Sequence, residues 1–183
     1  MNRESTRELL VFFLLLAFGV FGRWVDHAWN FTPLTAVTAL GAFYFRSLLP
    51  AVLLPSAVLA LSDVLLPSHD SLAVLASVHV MAIIPLALGR SARRAEGLQR
   101  VACWGLCGVV PATAFFIVTN FAVWAAGSMY APTLGGLIDC YVAGLPFYRT
   151  MLAGDVCFLS LMTACLAAAQ CWQPRAISQP ASK

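Results

Sequence analysis

The residues best suited to chemistry in this sequence are polar side chains set inside or beside long apolar runs. Asp63 ends one such run, Asn120 and Trp124 fall four residues apart in another, and Asp155 lies a few residues into a third. Ionisable groups at membrane depth are costly and normally face a partner or a watered cavity. These positions therefore predict an outward-facing pocket or a polar network.

The predicted ligand-binding set consists of residues at the ends of apolar runs, all on the side of the membrane that charge counting makes the outer one. Its members are Asn30, Asp63, Asn120, Trp124, Tyr141, Arg149 and Asp155. The same residues admit an architectural interpretation, with acids paired to Arg23 or Arg149, an interhelical Asn hydrogen bond and aromatic anchors at the membrane interface. Their convergence on one side favours binding over a scaffold role.

Metal and catalytic chemistry find little support in the sequence. His27, His69 and His79 share the outer half, but neither HExxH nor paired CxxC spacing accompanies them, so they are weak candidates and no metal is predicted. No GxSxG, Walker or GxGxxG motif is present either, so no cofactor and no enzymatic activity are expected. A membrane enzyme that uses Asp63 or Asp155 as an acid or base stays an alternative.

The elements that must position these residues are membrane helices. The chain has 183 residues, of which 61% are hydrophobic and 10% charged, whereas about a quarter of residues are charged in soluble domains. This composition predicts a single all-α domain, a polytopic membrane helix bundle with a lipid bilayer around it. Six spans are predicted, at residues 8–21, 31–45, 48–66, 72–88, 101–126 and 151–171.

Two predicted segments are unusual in length. The second span is short for a full crossing, so a tilted or partly re-entrant helix is expected there. The outer loop 127–150 is long, and its apolar stretch 134–145 is too short to cross, which predicts a re-entrant or lid-like element. Within the second span, Phe31, Thr35, Thr38 and Ala42 form a stripe at helical spacing, which predicts close contact with protein.

Positive charge predicts the orientation. In a six-span arrangement, nine of the eleven Lys and Arg residues fall on one side and only Arg23 and Arg149 on the other. Because cytoplasmic loops carry the excess, both termini and the arginine-rich loop 89–100 are predicted to lie in the cytoplasm of a bacterium, below its inner membrane. The dispersed arginines and the net charge of +3 give no basis for nucleic-acid binding.

The first apolar run also has the small residues of a signal-peptide cleavage site, at Ala17-Phe18-Gly19. Glu4 and Glu8 dilute the positive charge that a signal peptide needs, and a retained helix is therefore predicted.

A longer pattern adds a resemblance to a known family. The stretch from Arg23 to Ala42, RWVDHAWNFTPLTAVTALGA, resembles the opening "HPxNFTPxxAxALFGGA" of a family of small bacterial membrane proteins of unknown activity. Residues 61–63, 119–124, 130 and 140–155 agree as well, so the resemblance covers most of the chain between Arg23 and Asp155. The sequence departs from the pattern at Ala28, where proline is usual, and at one glycine position within residues 40–42.

That family is in turn similar to the S components of energy-coupling-factor transporters, in size, helix number and cytoplasmic termini. The resemblance implies a substrate-binding subunit that takes up a vitamin or similar micronutrient through an outward site under loops. It implies a transmembrane coupling protein and ATPase subunits as partners. A structural or assembly subunit without ligand, and a metal-ion-binding membrane protein, are the alternative functions.

Overall fold

The computed structural model describes residues 3–25, 30–66 and 71–171, with side chains to residue 168, and each regular element in these ranges is an α-helix. The helices are α1 (Arg3–Trp24), α2 (Leu34–Tyr44), α3 (Leu48–Ser62), α4 (Leu72–Met81), α5 (Ile83–Arg94), α6 (Gly97–Cys107), α7 (Val110–Ala126) and α8 (Leu134–Cys171). Because α4 continues into α5, and α6 continues into α7, the eight helices form six helical segments. The predicted all-α bundle is confirmed.

Four segments are long and apolar enough to cross a membrane: Arg3–Trp24, Leu72–Arg94, Gly97–Ala126 and Leu134–Ala168. The other two, α2 with 11 residues and α3 with 15, fall short of the roughly 20 residues that a crossing needs. A short α2 was expected from the sequence. The third predicted span was about one turn too long, because α3 ends at Ser62 with Asp63 as its C-cap.

The prediction of an outer loop at 127–150 is wrong for most of its length, because residues 134–150 are helical. The chain turns over residues 127–133 and then enters α8, a helix of 38 residues that runs without interruption to Cys171. The sequence predicts a short re-entrant element at 134–145, separate from a span at 151–171, whereas the structure joins the two in one helix. A proline removes one helical hydrogen bond, and apolar helices in a bundle tolerate that loss, so α8 continues through Pro146.

Two of the long segments are broken near their middle. Between α4 and α5, the Ala82 N–H bonds to the His79 carbonyl at 3.2 Å, a tighter spacing than in an α-helix, and Pro85 follows three residues later. Between α6 and α7, the chain turns at Gly108 and Val109, and Pro111 sits in the first turn of α7. Each proline lacks the N–H that would continue the helical ladder, which explains both breaks.

The core is built around α2, the shortest of the six helical segments. Ala36, Val37, Ala39 and Ala42 are all at most 1% exposed, and α2 packs against α1, α3, α5 and α8. A Cβ at Gly89 of α5 would overlap the Ala39 carbonyl, so only glycine allows this approach. The prediction that the small-residue face of this span contacts protein is confirmed, and the contacts are with helices of the same chain.

Two arginines of α5 form hydrogen bonds that stabilise the end of the bundle where α2 terminates. Arg93 donates to the Phe45 carbonyl at 2.6 Å and Arg90 to the Arg46 carbonyl at 3.0 Å, both just beyond the C-terminus of α2. Cations are favourable at that helix end because its last carbonyls lack helical partners. The Asp63 end of α3 lies at the opposite end of the bundle, since α3 begins beside Arg46 and runs away from it.

Candidate functional site

A pocket of about 130 Å³ lies where the ends of α1 and α3 meet the start of α2 and the middle of the longer segments. We call it the central pocket. Its polar lining comes from Arg23, Asn30, Thr32, Thr35, Thr38 and Asp155. Its apolar lining comes from Leu34, Leu59, Val78, Met81, Ala82, Pro85, Pro111, Ala112, Phe115 and Met151. This volume holds several water molecules or a small ligand.

Asp155 is the most informative residue of the central pocket. It is 3% exposed, and its Oδ2 atom has no hydrogen-bond partner among the described residues. Thr35 of α2 is close enough to interact with the same carboxyl group. A buried carboxyl oxygen without a partner costs about 1–3 kcal/mol or more. The pocket is the space from which a donor could satisfy it.

Arg23 and Asp63 form the wall on the side of α1 and α3. The Arg23 Nη1 atom donates to Asp63 Oδ1 at 2.9 Å and also to the Ser62 hydroxyl. Trp24 adds a hydrogen bond from its indole N–H to the Ser62 carbonyl at 3.0 Å. Asp63 therefore ties two helix ends together, and it does not line the central pocket.

A second pocket of similar volume, about 130 Å³, adjoins the first. We call it the aromatic pocket. It is lined by Asn30, Phe115, Phe116, Thr119, Asn120, Gly144, Phe147, Tyr148 and Met151. Asn30, Phe115 and Met151 belong to both pockets, so the two are continuous along one wall. Asn30 has a backbone φ of 62°, a left-handed conformation that is uncommon outside glycine and that recurs at functional sites.

Both helix breaks face the central pocket, because Ala82 and Pro85 line it from one segment and Pro111 and Ala112 from the other. The pocket thus lies near the middle of the α4–α5 and α6–α7 segments. Asp155 comes 21 residues after the start of α8, a distance of about 31 Å along a helix. Sequence reasoning placed Asp155 one turn inside the membrane surface, which the continuous α8 corrects.

A model of a family of unknown function, DUF6580, matches residues 3–177. The chain belongs to the DUF6580 family. No curated protein and no solved structure matches it.

The other predicted site residues of this DUF6580 chain are spread along α7 and α8. The Trp124 indole donates to the Ala131 carbonyl at 3.0 Å and closes the turn between the two helices. Tyr141 donates to the Ile117 carbonyl at 2.7 Å, and Arg149 is exposed. None of these three lines either pocket. Asn120 does line the aromatic pocket, and its Nδ2 donates to the Phe116 carbonyl at 2.8 Å.

The weak metal candidates gain no support from the described part of this DUF6580 chain. His79 Nδ1 lies 3.0 Å from the Leu75 carbonyl, a hydrogen bond within α4. His27 and His69 lie outside the described residues. Over residues 3–25, 30–66 and 71–171, no group of three or more His, Cys, Asp or Glu side chains could hold a metal ion.

Sequence reasoning missed the aromatic residues and threonines of the two pockets. On α8, Gly144, Tyr148, Met151 and Asp155 recur at spacings of four, three and four residues, which puts them on one helical face. This spacing was readable in the sequence, but dividing the segment into a loop and a separate span concealed it. Pro85 and Pro111 marked the two breaks in the same way.

Proposed function

We propose that this protein is the substrate-binding membrane subunit of a small-molecule uptake transporter. The observation that carries the proposal is the buried Asp155 carboxyl group on the wall of a polar pocket, whose Oδ2 atom has no hydrogen-bond partner among the described residues. Groups left unsatisfied at such a cost are retained where a ligand completes them. Coupling and ATPase subunits on separate chains would supply the energy, as the proposed likeness of the family to S components implies.

The two helix breaks support a transport role over simple bracing. Transporters commonly place their sites at the middle of the membrane, where discontinuous helices expose backbone groups to the substrate. Irregular backbone at that depth is tolerated only where it is buried in protein or lines a cavity. Here both breaks line the central pocket. A ligand held there would be exchanged by small movements of α4 and α7 about the breaks.

The proposal includes an orientation. Both termini and the end fastened by Arg90 and Arg93 face the cytoplasm of a bacterium, and the Arg23–Asp63 end faces outward. The size of the pockets restricts the cargo. About 130 Å³ in each is well below the roughly 300–1,000 Å³ of sites for drug-sized ligands. A small substrate of a few heavy atoms to one ring fits better than a large vitamin.

A structural or assembly subunit is the second candidate function. The Arg23, Ser62 and Asp63 contacts favour it, because they are hydrogen bonds that brace helix ends and contribute nothing to the pocket lining beyond Arg23. In that case the pocket would hold only water.

The deciding experiment is extraction of small molecules from the protein purified in lipid nanodiscs, read by mass spectrometry. We expect an organic molecule that co-purifies with the parent, is lost in Asp155→Ala and is retained in Asp139→Ala. Asp139 is the matched control because it is an exposed acid on the same helix. Thermal unfolding of the same samples reports folding. If the parent retains no organic molecule, and Asp155→Ala only lowers stability, the assembly role replaces the transport role.

A further inference from the structure

We infer that the ligand of the two pockets is a small organic ammonium ion with an aromatic or similarly planar body. This inference rests on the proposed binding function and adds the chemical class of the ligand. It follows from the charges that line the pockets, from the rings beside them and from the wall that joins them.

The charge balance of the site calls for one positive charge. Arg23 and Asp155 are the charged side chains among the described residues that line the two pockets. Arg23 is already neutralised, because its Nη1 atom lies 2.9 Å from Asp63 Oδ1. Asp155 makes no ion pair with a described residue, and its Oδ2 atom has no hydrogen-bond partner among them. A carboxylate buried without a counterion is strongly unfavourable, so a bound monocation would stabilise the ionised form of Asp155, whereas an anion would be repelled by it.

The position of the aromatic rings selects an organic cation. Phe116 and Tyr148 lie 4.9 Å apart between ring centroids, and Phe115 forms part of the wall shared by both pockets. Ring faces attract cations and stack on planar groups. Thr35 and Thr38 add hydroxyl groups near Asp155, which suit an ammonium group with several N–H donors.

The shared wall sets the length of the ligand. Met151 lies one helical turn from Asp155 on α8, and Tyr148 lies one turn further. The distance along the helix from Asp155 to Tyr148 is about 10 Å at 1.5 Å per residue. A ring that is two or three bonds from an ammonium group at Asp155 covers only part of that distance. It would lie beside Phe115 and Met151 on the shared wall. A 2-phenylethylammonium ion has this form, and 2-phenylethanol is its neutral counterpart.

The test compares the binding of these two probes to the purified protein in nanodiscs by isothermal calorimetry. We expect the parent to bind the ammonium probe about tenfold or more tightly than the alcohol, as a charge-assisted hydrogen bond gives. Asp155→Asn should remove that preference, whereas Asp139→Asn should leave it unchanged. Phe115→Leu should weaken both probes several-fold, because Phe115 lies on the wall shared by the two pockets. Because the parent itself gives the preference, the test does not depend on how well the Asp155 variant folds.

Several results would overturn the inference. They are equal affinity of the parent for both probes, no measurable binding of either, a preference that survives Asp155→Asn, or displacement of the ammonium probe by millimolar Na⁺ or K⁺ alone. The co-purified molecule separates this failure from failure of the proposed function. A neutral or anionic molecule retained through Asp155 would refute the ammonium class and leave the transport role intact.

Discussion

Replacing Gly144 with alanine should destabilise the protein by crowding the contact between α7 and α8. A Cβ at residue 144 would lie 2.5 Å from Asn120 Oδ1, closer than real Cβ contacts come. Asn120 has little room to withdraw, because its Nδ2 donates to the Phe116 carbonyl at 2.8 Å. Inserting one methyl group into a packed contact typically costs about 1–3 kcal/mol. We therefore expect Gly144→Ala to unfold at a temperature several degrees below that of the parent.

Gly105→Ala is the matched control for this prediction. Gly105 lies inside α6, and a Cβ there would meet nothing within 4 Å. Alanine favours a helix over glycine by up to about 1 kcal/mol, so this variant should be as stable as the parent or more so. Asn120→Ala added to Gly144→Ala should restore part of the loss, since it removes the clashing atom.

Thermal unfolding in detergent, followed by tryptophan fluorescence, measures five proteins: the parent, Gly144→Ala, Gly105→Ala, Asn120→Ala and the double variant with Gly144→Ala and Asn120→Ala. The result that refutes the reasoning is a Gly144→Ala variant as stable as the parent. Strict additivity of the two substitutions would refute it equally, because it would mean that Asn120 and Gly144 are not in contact. The continuous α8 would then have to be reconsidered, since its first half is held against α7 at this position.

The Arg23–Asp63 ion pair, the helix break at Pro85 and the proposed topology can each be tested. Arg23→Gln and Asp63→Asn should each lower the free energy of unfolding by about 1–3 kcal/mol, because each leaves its partner uncompensated. In a double-mutant cycle, the double variant should lose less than the sum of the two, and additive losses would contradict the ion pair. Pro85→Ala should reduce the amount of co-purified ligand more than Pro146→Ala does. Pro85 breaks a helix at the central pocket, whereas Pro146 lies inside the unbroken helix α8. Equal retention of ligand by the two variants would contradict a role for the break between α4 and α5. Reporter domains fused after Arg94 and after Tyr130 should report opposite sides of the membrane, with Arg94 in the cytoplasm; reporters on the same side would exclude the proposed topology.

The sequence was sufficient to predict the fold class and much of its layout. Apolar runs of about 20 residues force helices, since each segment must satisfy its own backbone in lipid, and the described part of the chain has six helical segments. The small residues of α2 predicted close packing, and Ala36 and Ala39 are indeed at most 1% exposed. Such features depend on local composition, which a sequence displays directly.

The two acids show where sequence reasoning fails. Asp63 and Asp155 looked equivalent, because each lies near the end of an apolar run. Their environments differ through residues distant in the chain, since Arg23 reaches Asp63 across 40 residues while Asp155 meets Thr35 and a cavity. Burial and pairing are tertiary properties. We therefore expect loss of stability from substitutions of Asp63 and loss of ligand from substitutions of Asp155.

The depth of the site depends on whether residues 134–171 form one helix or a loop element followed by a separate span. With a span that starts at residue 151, as the sequence predicts, Asp155 lies about one turn from its outer end and residues 134–145 form a re-entrant or lid-like element. With α8 continuous, Gly144, Tyr148, Met151 and Asp155 become one face of a single helix, and that face joins the aromatic and central pockets. The same face meets the break before α7, where Pro111 lines the central pocket. Under the proposed transport role, a ligand on this face would contact both an unbroken helix and a helix break, the place where a hinge that alternates exposure of the site could act.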